Sequence, residues 1–177
     1  GHSTHPLGTF IWLLRKHGIE TLVDIRSYPG SRRHPHFSRE GLSASLADED
    51  IEYHWLQALG GYRTGTKEAA PSPNRGIEHE AFRAYADYMA TDEFRQGVAR
   101  LIEIAEGHRT TIMCAEGDYQ HCHRHLLCDH LLANGITVLH ILPTSEIKPH
   151  KLTAGAKVVD GTVTYPGQPT LFDMDAP

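Results

Sequence analysis

A short apolar run, Thr110 to Met113, leads directly into Cys114-Ala-Glu-Gly-Asp-Tyr-Gln-His-Cys-His-Arg124. An amphipathic pattern follows, with Leu126, Leu127, Leu131 and Leu132 at helical spacing. That order predicts a strand, a loop crowded with reactive groups, and a helix. In open α/β sheets, ligands bind beyond the carboxyl ends of the strands, and helix N-termini there favour anions and thiolates. The stretch therefore reads as a site at the edge of a sheet.

The rest of the chain extends the alternation. Phe10, Leu13, Leu14 and His17 repeat at helical spacing, with Gly18 placed for a C-terminal cap. Thr21 to Ile25 predicts a strand with Asp24 near its end, and Ile51 to Trp55 predicts another. Between them, Pro29, Gly30 and Pro35 interrupt regular structure, and Ser38 is placed to cap a helix bearing Leu42 and Leu46. Helical patterns return with Phe82, Tyr85, Tyr88 and Met89, and again from Thr91 to Gly107. Thr137 to Leu142 predicts a further strand. Asp160-Gly161, inside Lys157 to Thr164, suits the type I′ turn of a hairpin. The expected fold is α/β: a three-layer, Rossmann-like sandwich with a mainly parallel sheet, plus a short C-terminal hairpin and tail. Residues 1–165 read as one domain and 166–177 as a flexible tail, and a chain of 177 residues needs no second core.

Composition narrows the classes of function. No apolar run approaches the roughly 20 residues of a membrane span, and the first residues carry no signal-peptide pattern. Three cysteines make no disulfide framework, so reduced thiols and a cytoplasmic location are expected. A net charge of −5 argues against a general nucleic-acid coat. Arg26, Arg32, Arg33 and Arg39 nevertheless crowd one stretch with His34 and His36, which is a local preference for anions.

Cys114, at the end of a strand, and Cys122, near the first turn of a helix, are both candidate nucleophiles. A helix N-terminus and Arg124 would depress a thiol pKa there, and His121, His123 or Glu116 are candidate proton carriers. Two thiolates and one or two imidazoles also suit zinc, with Glu116 handling water. The spacing matches no familiar zinc pattern, so zinc stays a candidate cofactor and is not the favoured one. Cys128, deeper in the apolar helix, reads as core. Asp24, Arg26 and Arg32 have two readings: an anion clamp, or a structural Asp–Arg pair beside a solvated loop. Arg33, His34 and His36 read as solvated. Gly60-Gly61 fits no phosphate-binding fingerprint and has two readings, a tight turn beside a ligand or an ordinary loop, and Tyr53 is either an aromatic wall or strand packing. In the tail, Gln168, Leu171 and Phe172 resemble the Gln-x-x-Leu-Phe peptide by which bacterial DNA polymerases and repair proteins dock on the sliding clamp.

Several short motifs, in one order along nearly the whole chain, resemble the DUF488 family, a domain of unknown function. They are Gly1-His2-Ser3-Thr4, Val23-Asp-Ile-Arg26 with Pro29 and Ser31-Arg32, Tyr53 with Leu59-Gly60-Gly61, and Cys114-Ala-Glu116 with Cys122-His-Arg124. The resemblance implies an α/β fold with a polar pocket, and it implies no reaction. It makes Gly1-His2-Ser3 the end of a lost first strand, with His2 and Ser3 on the same edge as Asp24, Arg26 and Cys114. The family pattern has a Pro-bearing loop where this chain has Tyr119 and Gln120.

The combined expectation is an enzyme in which Cys114 or Cys122 supplies a thiolate and Glu116, Asp24 and His123 move protons. His2, Ser3, Arg26, Ser31, Arg32, Tyr53, Gly60, Gly61 and Arg124 would bind a phosphorylated or nucleotide-like substrate, in a setting of DNA repair. Two alternatives stand beside it. One is a nucleotide or nucleic-acid binding module brought to the clamp by its tail; the other is a metal-dependent hydrolase.

Overall fold

The computed structural model describes residues 1–30, 34–63 and 71–167. Helix α1 (Leu7–Lys16) buries Phe10, Leu13 and Leu14, the stripe that its spacing dictates. It ends at Gly18, whose φ of 59° is the left-handed conformation that stops a helix. Strand β1 (Thr21–Asp24) is buried along its whole length. Ser38 caps α2 (Arg39–Ala47) by accepting a hydrogen bond from the Gly41 N–H at 3.2 Å. Strand β2 (Glu52–Trp55), helices α3 (Glu80–Tyr88) and α4 (Asp92–Ala105), strand β3 (Thr110–Met113) and helix α5 (Arg124–Ala133) follow. Thr91 caps α4 through the Phe94 N–H.

The three strands form a parallel sheet in the order β2-β1-β3. Register pairs Asp24 with Trp55 on one side and with Met113 on the other. Successive side chains of a strand point to opposite faces, so this register sorts the core into two clusters. Val23, Ile25 and Ile112 pack with Tyr85, Phe94, Leu101 and Leu127, from α3, α4 and α5. Leu22 and Met113 pack with Phe10, Leu14, Leu42 and Leu46, from α1 and α2, and with Phe37. The start of the chain extends the edge of β3: the His2 N–H donates to the Cys114 carbonyl at 3.0 Å, and the Ser3 N–H to Ala115 at 2.9 Å.

The C-terminal part departs from the expected sheet. Strand β4 (Leu139–Ile141) lies inside the predicted strand, but it pairs antiparallel with β5 (Ile147–Pro149) and not with β3. A local hairpin closes a short loop at small entropic cost, and Ser145, at φ 69°, supplies its left-handed residue. A cleft of about 630 Å³ separates the edge of β3 from β4. The final hairpin, β6 (Lys157–Val159) and β7 (Thr162–Thr164), turns at Asp160 and Gly161 with φ of 48° and 75°, as a type I′ turn requires. Among the described residues, no helix is long and apolar enough to cross a membrane.

Candidate functional site

Strand β3 delivers Cys114 to the face shared with α3, α4 and α5, and Cys122 enters from the segment that opens α5. Their sulfurs meet at 2.7 Å, both buried. The loop between them is held by short-range polar contacts. Asp118 accepts from the Gln120 N–H at 2.9 Å and pairs with exposed His121. The Arg124 guanidinium reaches back and donates to the Glu116 carbonyl at 2.7 Å.

Two further groups face Cys122 Sγ: the Arg124 backbone N–H and His123 Nδ1, each at 3.5 Å. Burial alone raises a thiol pKa, and it does so for Cys128 on α5, pushed up to about 12. Cys122 moves the other way. The hydrogen bond from Cys114 lowers it most, with His123 and Arg124 adding to the effect against the cost of burial. Cys114 is correspondingly raised, by that same hydrogen bond and then by burial. These opposite directions favour Cys114 as the donor and Cys122 as the sulfur that ionises first.

Glycines 60 and 61 bring a second loop against this pair. A methyl group at position 61 would fall 2.3 Å from His123 Nδ1, and one at position 60 would fall 2.4 Å from Ser27 Oγ. The Ser27 hydroxyl in turn accepts from the Tyr62 N–H at 2.9 Å. Only bare backbone fits at both positions. The His123 ring also lies edge-on to Tyr85, and its Nε2 is buried without a hydrogen-bond partner among the described residues.

Asp24, Arg26, Tyr53 and His2 gather at the same sheet edge but on the opposite face. Asp24 is fully buried and accepts from the Arg26 backbone N–H, from Arg26 Nε and Nη2, and from the Tyr53 hydroxyl at 2.6 Å. Arg26 Nη1 donates to the Phe37 carbonyl at 2.7 Å. Burial works against the charge of Arg26, yet Asp24 more than offsets it and the net shift is upward. Burial also raises Tyr53, with its bond to Asp24 adding to the rise. His2 stacks on Phe37 with ring centroids 4.3 Å apart, and burial lowers its pKa to about 4, so it is neutral near pH 7. Arg26 is thereby occupied by Asp24 and a carbonyl, which is the arrangement of a structural pair.

The Glu116 side chain is exposed and accepts from the Gly117 N–H, while its backbone carbonyl faces Cys114 Sγ at 3.7 Å. Ser3 packs its side chain where a Cβ on Gly117 would sit. Ser31, Arg32, Gln168, Leu171 and Phe172 lie outside the described residues. Neither Cys114 nor Cys122 lines the cleft between β3 and β4; Ser3, Arg124, Cys128 and His140 are among its walls. Cys114, Cys122 and His123 offer ligand atoms within 4.8 Å of one another, enough for three bonds to a metal ion.

One polar network has no counterpart in the sequence reading. Asp129, inside α5, is fully buried and binds His150, Thr153 and Tyr165, and His150 meets His140. These residues are far apart in the chain and share no spacing, so only an acidic residue inside an apolar helix hinted at them.

Fold and site together define an α/β protein with a polarised thiol pair at the carboxyl edge of a parallel sheet. The chain belongs to the DUF488 family: the model of that domain of unknown function matches residues 6–131. No curated protein and no solved structure matches the chain.

Proposed function

We propose that this chain is a thiol-dependent enzyme in which the Cys122 thiolate attacks an anionic, phosphorylated or nucleotide-like substrate. The observation that carries this reading is the convergence on one sulfur of a second thiol, a backbone N–H and an imidazole. A buried thiolate is costly unless it is paired or hydrogen-bonded, and here three neighbours are placed to keep it ionised. Arg124 and the N-terminus of α5 supply positive potential for the substrate anion, and Arg124 Nε is buried without a hydrogen-bond partner among the described residues. In the chemical step, the Cys122 sulfur bonds to the electrophilic atom as that atom's bond to the leaving group breaks, and His123 hands the leaving group a proton. Cys114 releases its hydrogen bond as the charge on Cys122 disappears.

The test is the pH dependence of iodoacetamide alkylation, read by mass spectrometry at Cys122, together with capture of a covalent adduct from nucleotide and phosphate-ester probes. A thiol that reacts fully at pH 6, is lost in Cys122→Ser and is slowed in His123→Ala supports the reading. A Cys122 titrating at the ordinary value of about 8.5 would sink it.

The metal reading has its own observation, the three ligand atoms of Cys114, Cys122 and His123 within 4.8 Å. Stoichiometric zinc in untreated protein, lost in both cysteine variants, would favour it over the free thiolate.

A further inference from the structure

We infer that Cys128, His140 and His150 form a second site, separate from the thiol pair, for a divalent transition metal of the zinc class. The three side chains are buried, and their ligand atoms lie within 4.8 Å of one another. They come from three places: α5, strand β4 and the residue after β5. The family match ends at residue 131, so the cysteine belongs to the matched domain and both imidazoles come from beyond it. A bound ion would pin the C-terminal strands to α5.

Geometry supports an ion between the two rings. His140 Nε2 and His150 Nδ1 face each other at 2.9 Å. Two nitrogens on a tetrahedral zinc, with bonds of about 2.0–2.1 Å, stand about 3.3 Å apart. Opening the pair by a few tenths of an ångström, with loss of the shared proton, admits the metal.

The surroundings are those of a ligand set. Asp129 binds the far nitrogen of His150, Nε2, at 2.9 Å. That hydrogen bond fixes the tautomer and turns the Nδ1 lone pair toward His140, as carboxylates do behind metal-binding histidines. The carboxylate is itself held by the Thr153 N–H at 3.0 Å, the Thr153 hydroxyl at 2.5 Å and the Tyr165 hydroxyl at 2.7 Å. Tyr119 stacks on His140 at 3.5 Å and restrains that ring.

Charge points the same way. Among the described residues, no lysine or arginine forms an ion pair with Asp129, although it is fully buried. A dication, the Cys128 thiolate and the Asp129 carboxylate sum to zero. One thiolate with two imidazoles suits zinc and its neighbours and not magnesium or calcium. Cys128 and His140 line the cleft beside β4, which leaves a fourth position for water.

The experiment titrates Co²⁺ into full-length, tag-free protein carrying Cys114→Ser and Cys122→Ser, so that the thiol pair cannot respond. The expected result is one equivalent bound, with tetrahedral d–d bands and a sulfur-to-cobalt charge-transfer band. Adding Cys128→Ser removes the charge-transfer band, and His140→Ala removes the tetrahedral spectrum. Asp129→Asn, whose contact with the ligand set is its bond to His150, weakens binding by about 10- to 100-fold. Far-ultraviolet circular dichroism confirms that each variant is folded. A folded double variant that binds no Co²⁺ overturns the inference and leaves Asp129 and His150 as an ion pair. A charge-transfer band that survives Cys128→Ser overturns it as well.

Discussion

Gly61 lies directly against the imidazole of His123, so closely that a methyl group at position 61 would fall 2.3 Å from Nδ1. The same nitrogen faces Cys122 Sγ at 3.5 Å on its other side. A glycine in one loop thereby sets the position of a ring in another, and that ring helps to keep a thiolate charged.

Gly61→Ala should consequently act on Cys122 without touching it. The ring must move away, and Cys122 loses one of the groups that lower its pKa. The pH at which alkylation of Cys122 falls off is expected to move up by about one unit, a 10-fold change in the protonation equilibrium. An alanine variant with an unchanged alkylation profile would show that His123 does not tune the sulfur.

The shared proton predicts how stability follows pH. Below the ordinary thiol pKa of about 8.5 the unfolded chain holds both protons and the folded chain one, so stability rises with pH. Above it the unfolded chain holds neither while the folded chain keeps the Cys114 proton, so stability falls. The contribution of Cys122 is lost as pH falls through its lowered value. Guanidinium midpoints of reduced protein, compared with the Cys114→Ser, Cys122→Ser double variant, should differ most near pH 8.5. A difference that does not vary with pH contradicts the shared proton.

Asp24 and Arg26 make a stability prediction. Asp24→Asn leaves the Arg26 guanidinium buried without its counter-charge and weakens the bond from Tyr53. The expected loss is about 3–5 kcal/mol in urea unfolding, against about 1–2 kcal/mol for Tyr53→Phe. If the pair served mainly to bind a substrate anion, Asp24→Asn would cost far less.

Oxidation should find the thiol pair. The Cys122 thiolate attacks a small disulfide such as oxidised glutathione and releases one glutathione thiolate. Cys114 then gives its proton to the released glutathione thiolate, displaces the second glutathione and closes a protein disulfide. The sulfurs already touch, so closure needs little backbone movement. Mass spectrometry should find a Cys114–Cys122 cross-link in wild type, and in Cys114→Ser a glutathione adduct at Cys122. A stable mixed disulfide in wild type would show that Cys114 cannot reach it.

Wherever a few neighbouring residues carry the information, the reading of the chain and the fold coincide. Gly18 ends α1, Ser38 caps α2, and Asp160-Gly161 turns the last hairpin, each because one conformation or one hydrogen bond decides the matter locally. The order strand, loop, helix around Cys114 and Cys122 is equally local. The partnership of β4 is not: its residues suit a strand, yet nothing in them distinguishes β3 from β5 as neighbour.

Local chemistry along the chain accounts for the helix stripes, the caps, the final turn and a cluster of thiols, imidazoles and a guanidinium after one strand. The division of that sheet edge into two faces came from register between distant strands. Asp24 pairs with Met113 and not with Cys114, and a shift of one residue would have turned Asp24 and Arg26 toward the thiols. The same distance hid the grouping of Cys128, Asp129, His140 and His150. Side chains from a helix, a strand and the residue after another strand meet only after the chain has folded back on itself, and no spacing along it records that meeting.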